Sequence, residues 1–280
     1  MIRIITDTAA DITLTQARAM EIEIVPMGVF FGDTPYYQLE DESFELFYQM
    51  LEQNTQLPVT SQPTPELFLS EFMKAKENGD EVLVITISSE LSGTIQSAVI
   101  AKELSEYGEI HIVDSKLAAI GQRLLVELAI KLRDDGVKAG EIAQIIREAA
   151  DRVVLFAALD TLKYLRKGGR IAKSAELIGT AIGIKPLITL KNGVIVQAGK
   201  ARGRAGAVSG MMNLVRESGE IDPEYPVVFG YTGDAENCIY FREQAIGELK
   251  LEKIETCPVG GTVGTHVGPG VFALAYLKKE

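Results

Sequence analysis

Cysteine, histidine and long apolar runs are scarce in this 280-residue chain, and each scarcity excludes something. Two cysteines, Cys238 and Cys257, with no CxxC, build neither a disulfide framework nor a four-ligand zinc site. They read as free thiols in a reducing cytoplasm. No apolar run approaches the ~18 residues of a membrane span; the longest lies near 153–159. The N-terminus, Met1-Ile2-Arg3-Ile4-Ile5-Thr6-Asp7, turns polar too early for a signal peptide. A cytoplasmic protein without an integral membrane segment is expected. Positive charge is also in deficit, with 28 Lys and Arg against 39 Asp and Glu, a net charge of −11. Nucleic acid and anionic membranes repel a net anion, so neither is expected as the main partner.

Several catalytic signatures are missing. There is no GxxxxGK[ST], no GxGxxG after a strand, no HExxH and no GxSxG. The chain therefore does not advertise a self-contained kinase, dehydrogenase, metalloenzyme or lipase. Of the two histidines, His111 sits in an apparent strand, Glu109-Ile110-His111-Ile112-Val113, and reads as structural or surface.

At about 150 residues per domain the length predicts two domains. The first half alternates strands (2–6, 22–25, 81–86, 110–113) with helices (13–20, 43–53, 65–77, 92–104, 116–133). Thr64 and Pro65 mark one helix start. That alternation implies a parallel sheet with helices on its faces. The second half has a strand at 153–159, then a hairpin of 187–190 and 194–197 around Lys191-Asn192-Gly193. Helices follow at 205–218 and 235–246, strands at 226–231 and 250–256, a glycine-rich stretch at 260–270 and a helix at 272–277. The expected fold is α/β with two α/β domains. Residues 1–150 form a mainly parallel sheet with flanking helices. Residues 151–280 form a mixed or antiparallel sheet with helices.

Four polar segments stand out. Val59-Thr60-Ser61-Gln62-Pro63-Thr64-Pro65 sets two hydroxyls before a helix, on a backbone fixed by prolines. Ile87-Ser88-Ser89-Glu90-Leu91-Ser92-Gly93-Thr94 follows a strand, where α/β sheets bind ligands and helix N-termini attract anions. Helix capping alone explains such Ser and Thr residues equally well. Gly264-Thr265-His266-Val267-Gly268-Pro269-Gly270 is either a close-approach loop with an anion-binding histidine or a turn with a solvent-facing one. Lys163-Tyr164-Leu165-Arg166-Lys167-Gly168-Gly169-Arg170 is either a solvated charge run or an arginine aimed at a carboxylate or phosphate.

Together with Ile5-Thr6-Asp7-Thr8-Ala9-Ala10-Asp11 at the start and Ile171 after Arg170, these segments resemble the DegV family over nearly the whole chain. The resemblance implies a bacterial fatty-acid-binding protein, the lipid-carrying subunit of fatty acid kinase. A long-chain fatty acid would lie between the two domains. Its carboxylate would be held by Thr60 and Ser92, with Ser61 and Gly93 beside them and His266 and Arg170 at the carboxyl end. A separate ATP-dependent kinase subunit would phosphorylate that carboxylate, so no cofactor is expected on this chain. The resemblance leaves room for transient membrane contact. Two other functions compete: a serine-dependent acyl hydrolase or transferase using Ser92 and His266, and a sensor of a polar metabolite at the strand ends.

Overall fold

The computed structural model describes residues 1–38, 40–171 and 183–279. The chain opens with β1 (Ile2–Asp7), a 3-10 turn over Thr8–Ala10, α1 (Leu14–Met20) and β2 (Ile22–Val25). Thr13 and Gln16 close a reciprocal capping box at the start of α1. Next come β3 (Gly28–Phe31), β4 (Thr34–Tyr36), α2 (Asp41–Gln53), β5 (Val59–Ser61) and α3 (Pro65–Asn78). Then follow β6 (Glu81–Thr86), α4 (Thr94–Ser105), β7 (Ile110–Asp114), α5 (Ile120–Asp134) and α6 (Ala139–Ala150). The second half runs β8 (Val153–Ala158), α7 (Lys163–Gly168), β9 (Ile184–Lys191), β10 (Val194–Arg202) and α8 (Gly203–Glu217). It ends with β11 (Val227–Tyr231), α9 (Glu236–Leu249), β12 (Ile254–Pro258), α10 (Gly261–Val267) and β13 (Phe272–Leu277).

Three sheets result. The first, β2-β1-β6-β7, is parallel throughout. Val82, Leu83, Val84 and Ile85 are wholly buried, as a sheet covered on both faces requires. The second, β10-β9-β8-β13-β11-β12, is antiparallel except for the β11–β12 pair. Its β9–β10 hairpin turns at Asn192 (φ 50°) and Gly193 (φ 81°), where the Asn-Gly signal placed it. A third small sheet, β4-β3-β5, has its own core with α2, built on Phe31, Tyr36, Phe47 and Tyr48. Helix α5 packs on strands of both large sheets. Its buried Ile120, Leu124, Leu125 and Leu128 join Ile4 and Leu83 to Leu155, Val228 and Ala275 in one hydrophobic cluster. Among the described residues no helix is long and apolar enough to cross a membrane.

Several expectations are corrected. Residues 272–277, expected as a helix, form β13, a central strand between β8 and β11. Ala and Leu favour helix locally, but all six residues are buried, and pairing on both edges outweighs that preference. The glycine-rich 260–270 stretch holds helix α10, whose glycines let its backbone lie against Tyr36, Phe47 and Tyr48. Strands β3 and β4 and helix α6 were not anticipated. Helices α4 and α5 start at Thr94 and Ile120, later than expected, because the residues before them form connecting turns.

Candidate ligand-binding site

Strand β5, the turn into α4, α10 and the end of α7 bring most of the expected site residues together. Thr60 Oγ1 lies 2.9 Å from His266 Nε2, a contact between residues 206 positions apart. His266 sits in the last turn of α10, not on a solvent-facing turn. Its Nδ1 is buried, has no hydrogen-bond partner among the described residues and faces Gly168, where a Cβ would collide with the ring. Burial, and then the positive charge of Arg170, lower His266 to about 4, so the ring is neutral at pH 7. A buried N–H without an acceptor costs more than a bare ring nitrogen. That favours the tautomer with Nδ1 bare, in which Nε2–H donates to Thr60 Oγ1. The Thr60 hydroxyl proton is then free for another acceptor.

Ser92 precedes α4, whose N-cap residue is Gly93 with no side-chain cap. Ser92 does not cap the helix; its Oγ lies 2.9 Å from Thr94 Oγ1. Nor is it paired with His266, so the Ser92–His266 couple of an acyl hydrolase is not formed. Gly93 is covered by the Gln62 side chain, which donates from Nε2 to Ser97 Oγ at 3.0 Å. Gln62, next to the Thr60 and Ser61 hydroxyls in sequence, thus ties the end of β5 to α4. Arg170 donates from Nε to Leu91 O at 3.2 Å and from Nη1 to Gly168 O at 2.6 Å. It thereby braces the segment carrying Ser92 and the backbone under His266. Ser61 is exposed, on the strand face opposite Thr60, because successive β residues alternate. Around this group Lys163, Arg166 and Lys167 are exposed. Ser88 adds a link to the second sheet, donating to Gly193 O at 2.8 Å.

The cavity of about 730 Å³ lies elsewhere, bordered by Glu42, Glu45, Tyr48, Tyr231 and Asp234 among others. Cavities of about 410, 370 and 210 Å³ also include none of Thr60, Ser61, Ser92, Gly93, Arg170 or His266. None of these cavities is a buried tunnel leading to the Thr60 and Ser92 hydroxyls. Close to the site in sequence is a separate apolar cluster of Ala9, Met27, Ile87 and Ala118, with Leu91 and Val263 packed on it. Val263 lies one turn before His266 on the same face of α10.

A family model, described as that of the DegV family of uncharacterised proteins, matches residues 1–279. The chain belongs to the DegV family. It is 30% identical over 278 residues to a DegV domain-containing protein of Clostridium acetobutylicum, covering 99% of each chain. It is also 30% identical over 279 residues to one from Caldanaerobacter subterraneus, again covering 99% of each. Among solved DegV-like structures, a fatty-acid-binding DegV protein from Thermus thermophilus superposes with a TM-score of 0.88 at 27% identity, covering 99% of each chain. A stearic-acid-binding protein from Eubacterium ventriosum superposes at 0.89 with 26% identity, covering 100% of this chain and 99% of that one.

Proposed function

We propose that this DegV protein binds a long-chain fatty acid between the halves 1–150 and 151–280 and presents its carboxylate for chemistry performed elsewhere. Support comes from the DegV structures described as fatty-acid binding and from a site rich in neutral donors. The observation that carries the reading is the Thr60–His266 pair, 2.9 Å apart, with His266 neutral. That pair leaves the Thr60 hydroxyl as a donor for a carboxylate, and Ser92 and the first N–H groups of α4 supply others.

The two ends of such a ligand play different physical roles. About 15 methylenes at ~0.8 kcal/mol each offer roughly 12 kcal/mol of gross driving force, which association and ordering costs reduce. The tail supplies affinity. The Ala9, Met27, Ile87, Ala118, Leu91 and Val263 cluster is its proposed path, since small side chains and a flexible methionine part at low cost. The buried carboxylate needs partners, and neutral donors stabilise it without locking it into an ion pair. That suits a carrier whose cargo is phosphorylated by a separate ATP-dependent kinase subunit, docked near Arg170 and the exposed Lys163, Arg166 and Lys167.

Thr60→Ala and Ser92→Ala test the assignment. Both should fold normally, retain less fatty acid through purification and support slower acyl-phosphate formation with the kinase subunit. Parental lipid retention and acyl-phosphate formation in both variants would refute the head-group assignment.

A further inference from the structure

Helix α10 carries His266 at its end, yet the groups holding its beginning come from the other end of the chain. The N-cap residue, Gly260, has no side chain to satisfy the first-turn N–H groups. Asp11 Oδ1 accepts from the Gly260 N–H at 2.9 Å, across 249 residues. Gln38 Oε1 accepts from the Thr262 N–H at 3.0 Å, across 224 residues. The Gln38 amide Nε2 donates to Thr8 O at 2.8 Å and to Asp11 Oδ1 at 3.4 Å. The Thr8 and Thr262 hydroxyls lie 3.0 Å apart. Tyr48 Oη donates to Val259 O at 2.7 Å, just ahead of the helix.

We infer that Asp11 and Gln38 are positioning residues for His266: they fix the first turn of α10, and through it the place where the imidazole meets Thr60. The inference rests on the head-group reading above. A seven-residue helix spans only about 10 Å, so a displaced first turn is felt at its last. A helix capped by its own residues can shift as a unit. One capped by the 3-10 turn after β1 and by the segment after β4 moves only with them. Tyr36, Phe47 and Tyr48 close against its glycines and leave little slack. Asp11 is 1% exposed, and its backbone is held at φ 54° with Arg123 Nη1 donating to its carbonyl at 3.1 Å. Burial raises its carboxyl to about 8, and Oδ1 accepts from the Gly260 N–H in either protonation state. Asparagine reproduces that acceptor and tolerates the left-handed backbone. Glycine tolerates the same backbone and removes the side chain, which separates the clamp from local strain.

The test follows the His266 ring by NMR, with His266→Gln identifying its signals against those of His111, the only other histidine. Retention of radiolabelled palmitate is measured alongside. Among the described residues Arg170 is the charged group that acts on His266, and it is unchanged in every variant. Asp11→Gly and Gln38→Ala should each move His266 from about 4 toward the ordinary value near 6.5 and release palmitate roughly tenfold faster. Asp11→Asn should do neither. Val215→Ala, in a core cluster without residues of α10, should lower thermal stability yet leave the ring unmoved. If Asp11→Gly does not fold, Gln38→Ala decides. Folded variants whose His266 still titrates as in the parent overturn the inference. A shifted ring with unchanged palmitate retention upholds the positioning role and refutes the head-group reading of His266 instead.

Discussion

Two nitrogens of the His266 ring meet opposite surroundings: Nε2 bonds Thr60, and Nδ1 faces Gly168. Gly168→Ala would drive a methyl group into the ring and displace it. We expect the His266 signal to move, head-group retention to fall and stability to drop by about 1–3 kcal/mol. Urea unfolding with NMR checks this, and an unmoved ring at parental stability would contradict it. Asp11 and Asp7 give a pH prediction. Both are fully buried, and burial raises them to about 8 and about 6, whereas an unfolded aspartate sits near 3.9. Between these values the folded chain holds more protons than the unfolded one, so stability falls as pH rises. The window runs from about 4 to about 6 for Asp7 and from about 4 to about 8 for Asp11. Asp11→Asn has no such proton to lose. Its stability relative to the parent should climb through the Asp11 window and level off above it, which urea midpoints across that range will show. A difference that stays flat would contradict the assignment. Thr60, Ser92, Gly93, His266 and Arg170, the proposed head-group residues, lie in segments distinctive in sequence, and the fold brings Thr60 to His266. Asp11, Gln38 and Gln62 act across tens to hundreds of residues, and no local pattern reveals which distant N–H an amide or carboxyl will serve.

At the scale of elements, legibility followed local physics. The parallel strands of the first half, the capped α1 and the Asn-Gly hairpin are dictated by neighbours in sequence, and they form where expected. Strand β13 and helix α10 are dictated by tertiary packing instead. Phe272-Ala273-Leu274-Ala275-Tyr276-Leu277 carries no alternation, because both faces are covered, and its alanines and leucines mimic a helix. The glycines of α10 look like a turn until the rings of Tyr36, Phe47 and Tyr48 are placed against them. Leu274 is wholly buried in the cluster with Phe229 and Phe241. Leu274→Ala should cost about 2–5 kcal/mol in urea unfolding. A cost below 1 kcal/mol would contradict the placement of β13 at the centre of the sheet.

For the whole molecule, α5 joins two large sheets in one core, and the proposed ligand path runs along the smaller apolar cluster beside it. Ala118→Phe should fill that path and reduce the fatty acid carried, with little change in the Thr60–His266 bond. Undiminished lipid in this variant would place the tail elsewhere. The account as a whole meets its most direct test in denaturing extraction and mass spectrometry of the protein purified without detergent. It expects long-chain fatty acids in amounts approaching one per chain. Extracts without such acids, or with a polar metabolite in their place, would contradict it.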